Sequence, residues 1–162
     1  MFAACTSRHI KITVIKMARE SALWKKCRGA AMTLRKMGHK IDLQRIENEV
    51  SAGHPDVEGC IDGRQVWIEL KSEDRPVRPS TPIRPKVRDS QRDWHKARSA
   101  AGCRINWVLL QVGEGHSASL YLVPGSHYES LTALLEIDLQ LLSFCEPKDT
   151  MVVVLSKASL GW

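Results

Sequence analysis

Asp56, Glu69 and Lys71 have types and a spacing suited to hydrolysing a phosphodiester: two carboxylates thirteen positions apart, with an amine two residues beyond the second. A phosphodiester repels nucleophiles through its own negative charge, so its hydrolysis needs positive charge where the transition state gathers negative charge. Magnesium supplies that charge and takes hard oxygen ligands, commonly one or two carboxylates with carbonyl, phosphate and water oxygens. Asp56 and Glu69 offer the carboxylates, and Lys71 is placed to orient an attacking water or take its proton. The competing assignment is a solvated Glu-Lys strand pair behind an ordinary Pro-Asp turn.

Positioning these groups is a task for a hairpin. Residues 65–72 (QVWIELKS) alternate, so Val66, Ile68 and Leu70 take one face of a strand while Trp67, Glu69 and Lys71 take the other. Residues 57–61 read as a second strand, and Asp62-Gly63 between them is the dipeptide preferred in a type I′ turn. Folding back there returns Asp56 to the level of Glu69 and Lys71. Upstream, Leu23, Cys27, Ala30, Leu34 and Met37 recur at helical spacing from Glu20 onward, and Gly38 is the expected stop. Glu20 projects near Cys27, at the edge of this apolar stripe, where an acid is costly unless something pairs with it. A metal site would be such a partner; complementing the helix dipole is the alternative. Glu47 and, more exposed, Glu49 are rivals to Glu20 because they lie just before the Pro-Asp loop.

A formal charge of +6 and a pI near 9.2 point to a polyanionic partner. Residues 73–98 carry eight cations, Arg75, Arg78, Arg84, Lys86, Arg88, Arg92, Lys96 and Arg98, against four acids. Counterion release would make this segment, directly downstream of the candidate site, favourable for DNA. Within it Pro76, Pro79, Pro82 and Pro85 repeat at the polyproline II period. That pattern suits a semi-rigid basic arm at about 73–88, a ligand for a proline-binding module, or a stiff surface connection. Residues 88–101 read as a helix ending at Gly102, with Gln91, Trp94 and Arg98 along one side and Trp94 as a packing residue. Residues 105–112 and 119–123 read as strands. Ser126 and Glu129 suggest a capped helix over about 127–144, and 151–155 a short edge strand.

The length of 162 residues suits one domain, here 17–162, with 1–16 as an extension or extra strand. Five scattered cysteines without a Cys-x-x-Cys pair indicate neither a disulfide framework nor structural zinc, and fit a reducing cytoplasm. His54 and His95 read as surface or phosphate-contacting residues. No apolar run is long enough for a membrane span, and the first residues lack a secretory pattern, so no membrane association is expected.

Pro55-Asp56, Glu69-Leu70-Lys71 and the later Gln91 together resemble the PD-(D/E)xK nuclease superfamily, most closely its Holliday-junction-resolvase-like and VRR-NUC branches. The likeness spans about residues 18–125. It implies an α/β fold with a restriction-endonuclease-like αβββαβ core, a central mixed sheet flanked by helices. It further implies a magnesium- or manganese-dependent DNA endonuclease, selective for junctions or flaps in some relatives and working as a homodimer in others. By the same resemblance, the Leu70 carbonyl joins Asp56 and Glu69 as a metal ligand, Glu20 or Glu47 completes the acidic set, and Gln91 acts beside Lys71. Two other readings remain: a catalytically inactive DNA-binding protein of the same fold, and an adaptor using the Pro-rich segment.

Overall fold

A computed structural model describes residues 3–46 and 53–162, with side chains of the first helix described from residue 18. The first helix, α1 (Ala3–Lys36), buries Leu23, Cys27, Ala30, Ala31 and Leu34 along one stripe and ends before Gly38, whose φ of 97° suits glycine. Residues 3–16, expected as an extension or strand, belong to this helix. Met37, expected in the stripe, lies past the helix end and is 65% exposed.

Three antiparallel strands follow: β1 (Ile41–Arg45), β2 (Val57–Ile61) and β3 (Arg64–Glu73). The β2–β3 register runs from Val57 opposite Ile68 to Ile61 opposite Arg64, across Asp62 and Gly63 at φ 50° and 83°, the positive pair of a type I′ turn. α2 (Asp89–Ala100) crosses to β4 (Asn106–Val112), which pairs parallel with β3, and β5 (Ser119–Pro124) returns antiparallel to β4. The chain is therefore an α/β protein whose five-stranded mixed sheet, in the order β1-β2-β3-β4-β5, is flanked by helices. Every residue of β4 is buried, as expected for a strand covered on both faces.

On one face, α1 and the C-terminal helix α4 (Met151–Ala158) cover Val66, Ile68, Leu70, Trp107, Leu109 and Leu122. Over the other face lie Ile83, Tyr128 and Leu131 with the short helix α3 (Glu136–Leu142) and its Leu139, against Val108, Leu110, Val112, Tyr121 and Val123. Full burial of each such side chain is worth about 1.5–3 kcal/mol. β3 separates the two chemistries. Its even-numbered Val66, Ile68 and Leu70 feed the first core, whereas Glu69 and Lys71 turn toward the opposite face and are nonetheless buried.

Several expected elements differ. Met151–Ala158 is a helix, because Val154, Leu155 and Ala158 meet α1 at helical spacing; a short apolar run does not distinguish the two states. The single helix expected over 127–144 is a 3-10 segment (Gly125–Thr132) and α3, broken where Leu134 exchanges backbone hydrogen bonds with Ile83 (2.8 and 3.1 Å). Those bonds also bend the Pro-rich segment. A turn from Arg78 to Thr81 (2.9 Å) interrupts it, and Ile83 and Pro85 are buried, so the four prolines do not line one face of a continuous polyproline helix. Among the described residues, no helix is long and apolar enough to cross a membrane.

Candidate active site

The hairpin register delivers Asp56 to the open edge of β3. β2 pairs with β3 only as far as Ile68, so beyond it Leu70 has no partner on the β2 side, though it pairs with Leu109 of β4 on the other, and its N–H donates to Asp56 Oδ2 at 2.8 Å. In a strand the N–H and C=O of one residue point to the same edge, so the Leu70 carbonyl lies on the Asp56 side. Asp56 is itself held through its backbone carbonyl, which accepts from Ile46 N–H at 2.8 Å. Gly53, at φ 97°, itself lies close against the start of α2. A Cβ there would stand 2.3 Å from the Ser90 carbonyl oxygen.

Glu69 and Lys71, on the same face of β3, form a buried ion pair of 2.6 Å, Lys71 Nζ donating to Glu69 Oε1. Gln91 on α2 closes the group: its Nε2 donates to Glu69 Oε1, and its Oε1 accepts from Lys71 Nζ at 3.2 Å and from Tyr128 Oη at 2.8 Å. The amide is thus oriented, with its oxygen toward the amine and its nitrogen toward the carboxylate. His95 supports Tyr128 from behind, the rings stacked at 4.7 Å. Although expected at the surface, it is fully buried; burial, reinforced by Lys71, pushes its pKa down to about 4, so it is neutral.

Burial pushes the Glu69 carboxyl up to about 7; Lys71 opposes the shift, and the charges of Asp56 and Glu20 add to it. Glu20 is raised as well, first by burial, with Lys71 opposing and Asp56 reinforcing. The four groups therefore share one electrostatic environment, three acids around one amine. Glu69 Oε2 is buried and has no hydrogen-bond partner, which is costly for an anionic oxygen. Among the described residues, no group of three or more His, Cys, Asp or Glu side chains forms a cation cage. Two carboxylates, one of them with a buried unpartnered oxygen, and a strand-edge carbonyl nevertheless fit a hard cation that keeps part of its water shell.

The structure thus brings together Asp56, Glu69, Lys71 and Gln91, with Glu20 in electrostatic reach and the Leu70 carbonyl at the same edge. Glu47 and Glu49 lie outside the described residues. Tyr128 escaped the sequence reading, because the Ser126 and Glu129 pattern around it signalled only a helix cap and its link to the site is its contact with Gln91. The cationic residues divide. Arg75 is tied to Glu136 (2.8 Å), the Ser117 carbonyl and Ser119 Oγ, which removes it as a ready phosphate contact. Arg78, Arg84, Lys86 and Lys96 are exposed and make no ion pair among the described residues. Arg88 precedes α2 and acts electrostatically on Glu20, Arg92 pairs with Asp89 at 3.2 Å, and Arg98 lies over Trp67 and Trp94. No family model matches this chain, and no curated protein matches it either.

Proposed function

We propose that this protein is a divalent-metal-dependent DNA endonuclease that hydrolyses phosphodiester bonds. The observation that carries this reading is the convergence of Asp56, Glu69, Lys71 and Gln91 at one strand edge, with Glu69 Oε2 left unpaired. The element order of α1, three antiparallel strands, α2 and a parallel β4 is also the αβββαβ order that the PD-(D/E)xK resemblance implies. Asp56, Glu69 and the Leu70 carbonyl would hold magnesium or manganese, with Glu20 as the additional acid. The ion would supply the positive charge that phosphoryl transfer requires.

The protein's own groups perform the rest. The Lys71 ammonium donates one N–H hydrogen bond to Gln91 Oε1 and another to Glu69 Oε1, which fixes it and leaves its third N–H for an attacking water or a phosphate oxygen. Tyr128 holds the amide in that orientation. The exposed cations Arg78, Arg84, Lys86 and Lys96 would attract the DNA backbone.

The test incubates purified protein with plasmid, linear duplex, flap and four-way-junction DNA in magnesium, manganese or EDTA, beside Asp56→Ala and Lys71→Ala. The expected result is metal-dependent cutting, lowered about a hundredfold or more in each variant with DNA binding largely retained. Equal cutting by all three proteins would place the activity elsewhere. Binding without cutting by the wild-type protein would favour a silent DNA-binding protein.

A further inference from the structure

His54, Trp67, Trp94 and Arg98 form a cluster that belongs to neither apolar core. The Trp67 and Trp94 centroids lie 5.5 Å apart edge to face, and His54 stands 5.9 Å from Trp94 and 6.3 Å from Trp67. The Arg98 guanidinium lies 5.0 Å from the Trp94 centroid and 5.5 Å from that of Trp67. The three rings are half-buried, Arg98 is exposed, and His54 Nδ1 has no hydrogen-bond partner. Trp94 packs edge to face on the buried His95 (5.2 Å) as well as on the half-buried Trp67 and His54, with the exposed Arg98 over it.

The placement of the cluster is informative. Each of its three chain segments also gives a group to the candidate site: His54 precedes Asp56 by two residues, Trp67 precedes Glu69 by two, and Trp94 follows Gln91 by three. Two residues of strand advance about 7 Å and three of helix about 4.5 Å, which puts the rings about one nucleotide from the phosphate the site would hold. We propose that this cluster is a binding site for an unpaired nucleobase, next to the phosphate that is cut. The inference rests on the nuclease reading and narrows its substrate to DNA with an unpaired nucleotide at the cleavage point.

The chemistry follows from what an unpaired base exposes. Its π faces stack on tryptophan or on a guanidinium plane irrespective of sequence, whereas a paired base has already given its faces to its neighbours. Arg98 offers a planar cation both to the base and to the adjacent phosphate.

The experiment measures Kd by fluorescence anisotropy in EDTA, where cleavage is arrested, for a labelled duplex and for the same duplex carrying an unpaired tail. Wild type, Trp94→Ala and Trp94→Phe are compared, each with a melting curve to verify folding. The inference expects Trp94→Ala to weaken binding of the tailed DNA about 5- to 150-fold, with duplex binding within about twofold and the Phe variant restoring most of the loss. Equal weakening on both DNAs, or none on either, overturns it. Should Trp94→Ala fail to fold, Trp67→Ala repeats the comparison with the same criteria. Wild-type protein that binds neither DNA would instead defeat the nuclease reading beneath it.

Discussion

Raising the pH from 6 to 8 should strengthen magnesium binding while weakening the metal-free fold. Glu69 is the reason, because its carboxyl titrates near 7 and a cation needs its ionised form. At pH 8 about nine-tenths of the sites have the carboxylate, at pH 6 about one-tenth, so the apparent Kd rises about tenfold on acidification. With magnesium at a hundred times its Kd at pH 8, the stabilisation is about 2.7 kcal/mol, falling to about 1.4 kcal/mol at pH 6. For a chain of this size those figures are about 5–11 °C and about 3–6 °C in Tm. The metal-free protein moves the opposite way. A folded-state pKa above the ordinary 4.5 means the native state keeps its proton longer than the unfolded chain, so stability is lost as pH rises from about 4.5 to 7. That loss from Glu69 is on the order of 3 kcal/mol. Thermal melts at pH 6, 7 and 8 in magnesium and in EDTA read both slopes, with Glu69→Gln as the control that should show no magnesium shift. A shift equal at pH 6 and pH 8, or preserved in Glu69→Gln, would refute the placement of the ion on this carboxylate.

Lys71→Met should cost about 3–5 kcal/mol at pH 8, where the ionised Glu69 loses its buried cation, and much less at pH 5.5, where Glu69 already holds a proton. Urea denaturation at the two pH values checks the difference. Gly53→Ala should lower Tm by several degrees and reduce cleavage by displacing the Pro-Asp loop from α2, because it combines a φ of 97° with a 2.3 Å approach to Ser90. The companion Gly29→Ala, on an exposed helical position with open space around it, should gain about 0.5–1 kcal/mol and leave cleavage unchanged.

How legible these features were in the sequence depends on the range of the forces that make them. The β2–β3 hairpin was readable because alternation and Asp62-Gly63 act over a few residues, and α1 because its stripe repeats every three or four. β1 went unread, since Ile41–Arg45 has two apolar residues among three polar ones and becomes a strand by pairing with β2. The break before α3 is imposed by Ile83, some fifty positions away, and α4 is helical because α1 offers it a surface. In the site, Asp56, Glu69 and Lys71 were visible through their spacing. Arg75 was not recognisable as tied down, because Glu136 reaches it only in the folded chain.

The same distinction explains why the hairpin register is a functional quantity and not only a structural one. Side chains on a strand reverse face at every step, so a one-residue slip between β2 and β3 would turn Asp56 away from the Leu70 N–H and remove it from Glu69. Along β3 such a slip would gain nothing in compensation, because Val66, Ile68 and Leu70 already fill the face under α1. The apolar residues therefore enforce a register whose chemical product appears on the opposite face, where an anion and an amine are held out of water despite the cost of burying them. Asp62 and Gly63, far from the acids, set that register through their positive φ values. Lengthening this turn by one residue should consequently abolish metal binding even where the sheet still forms.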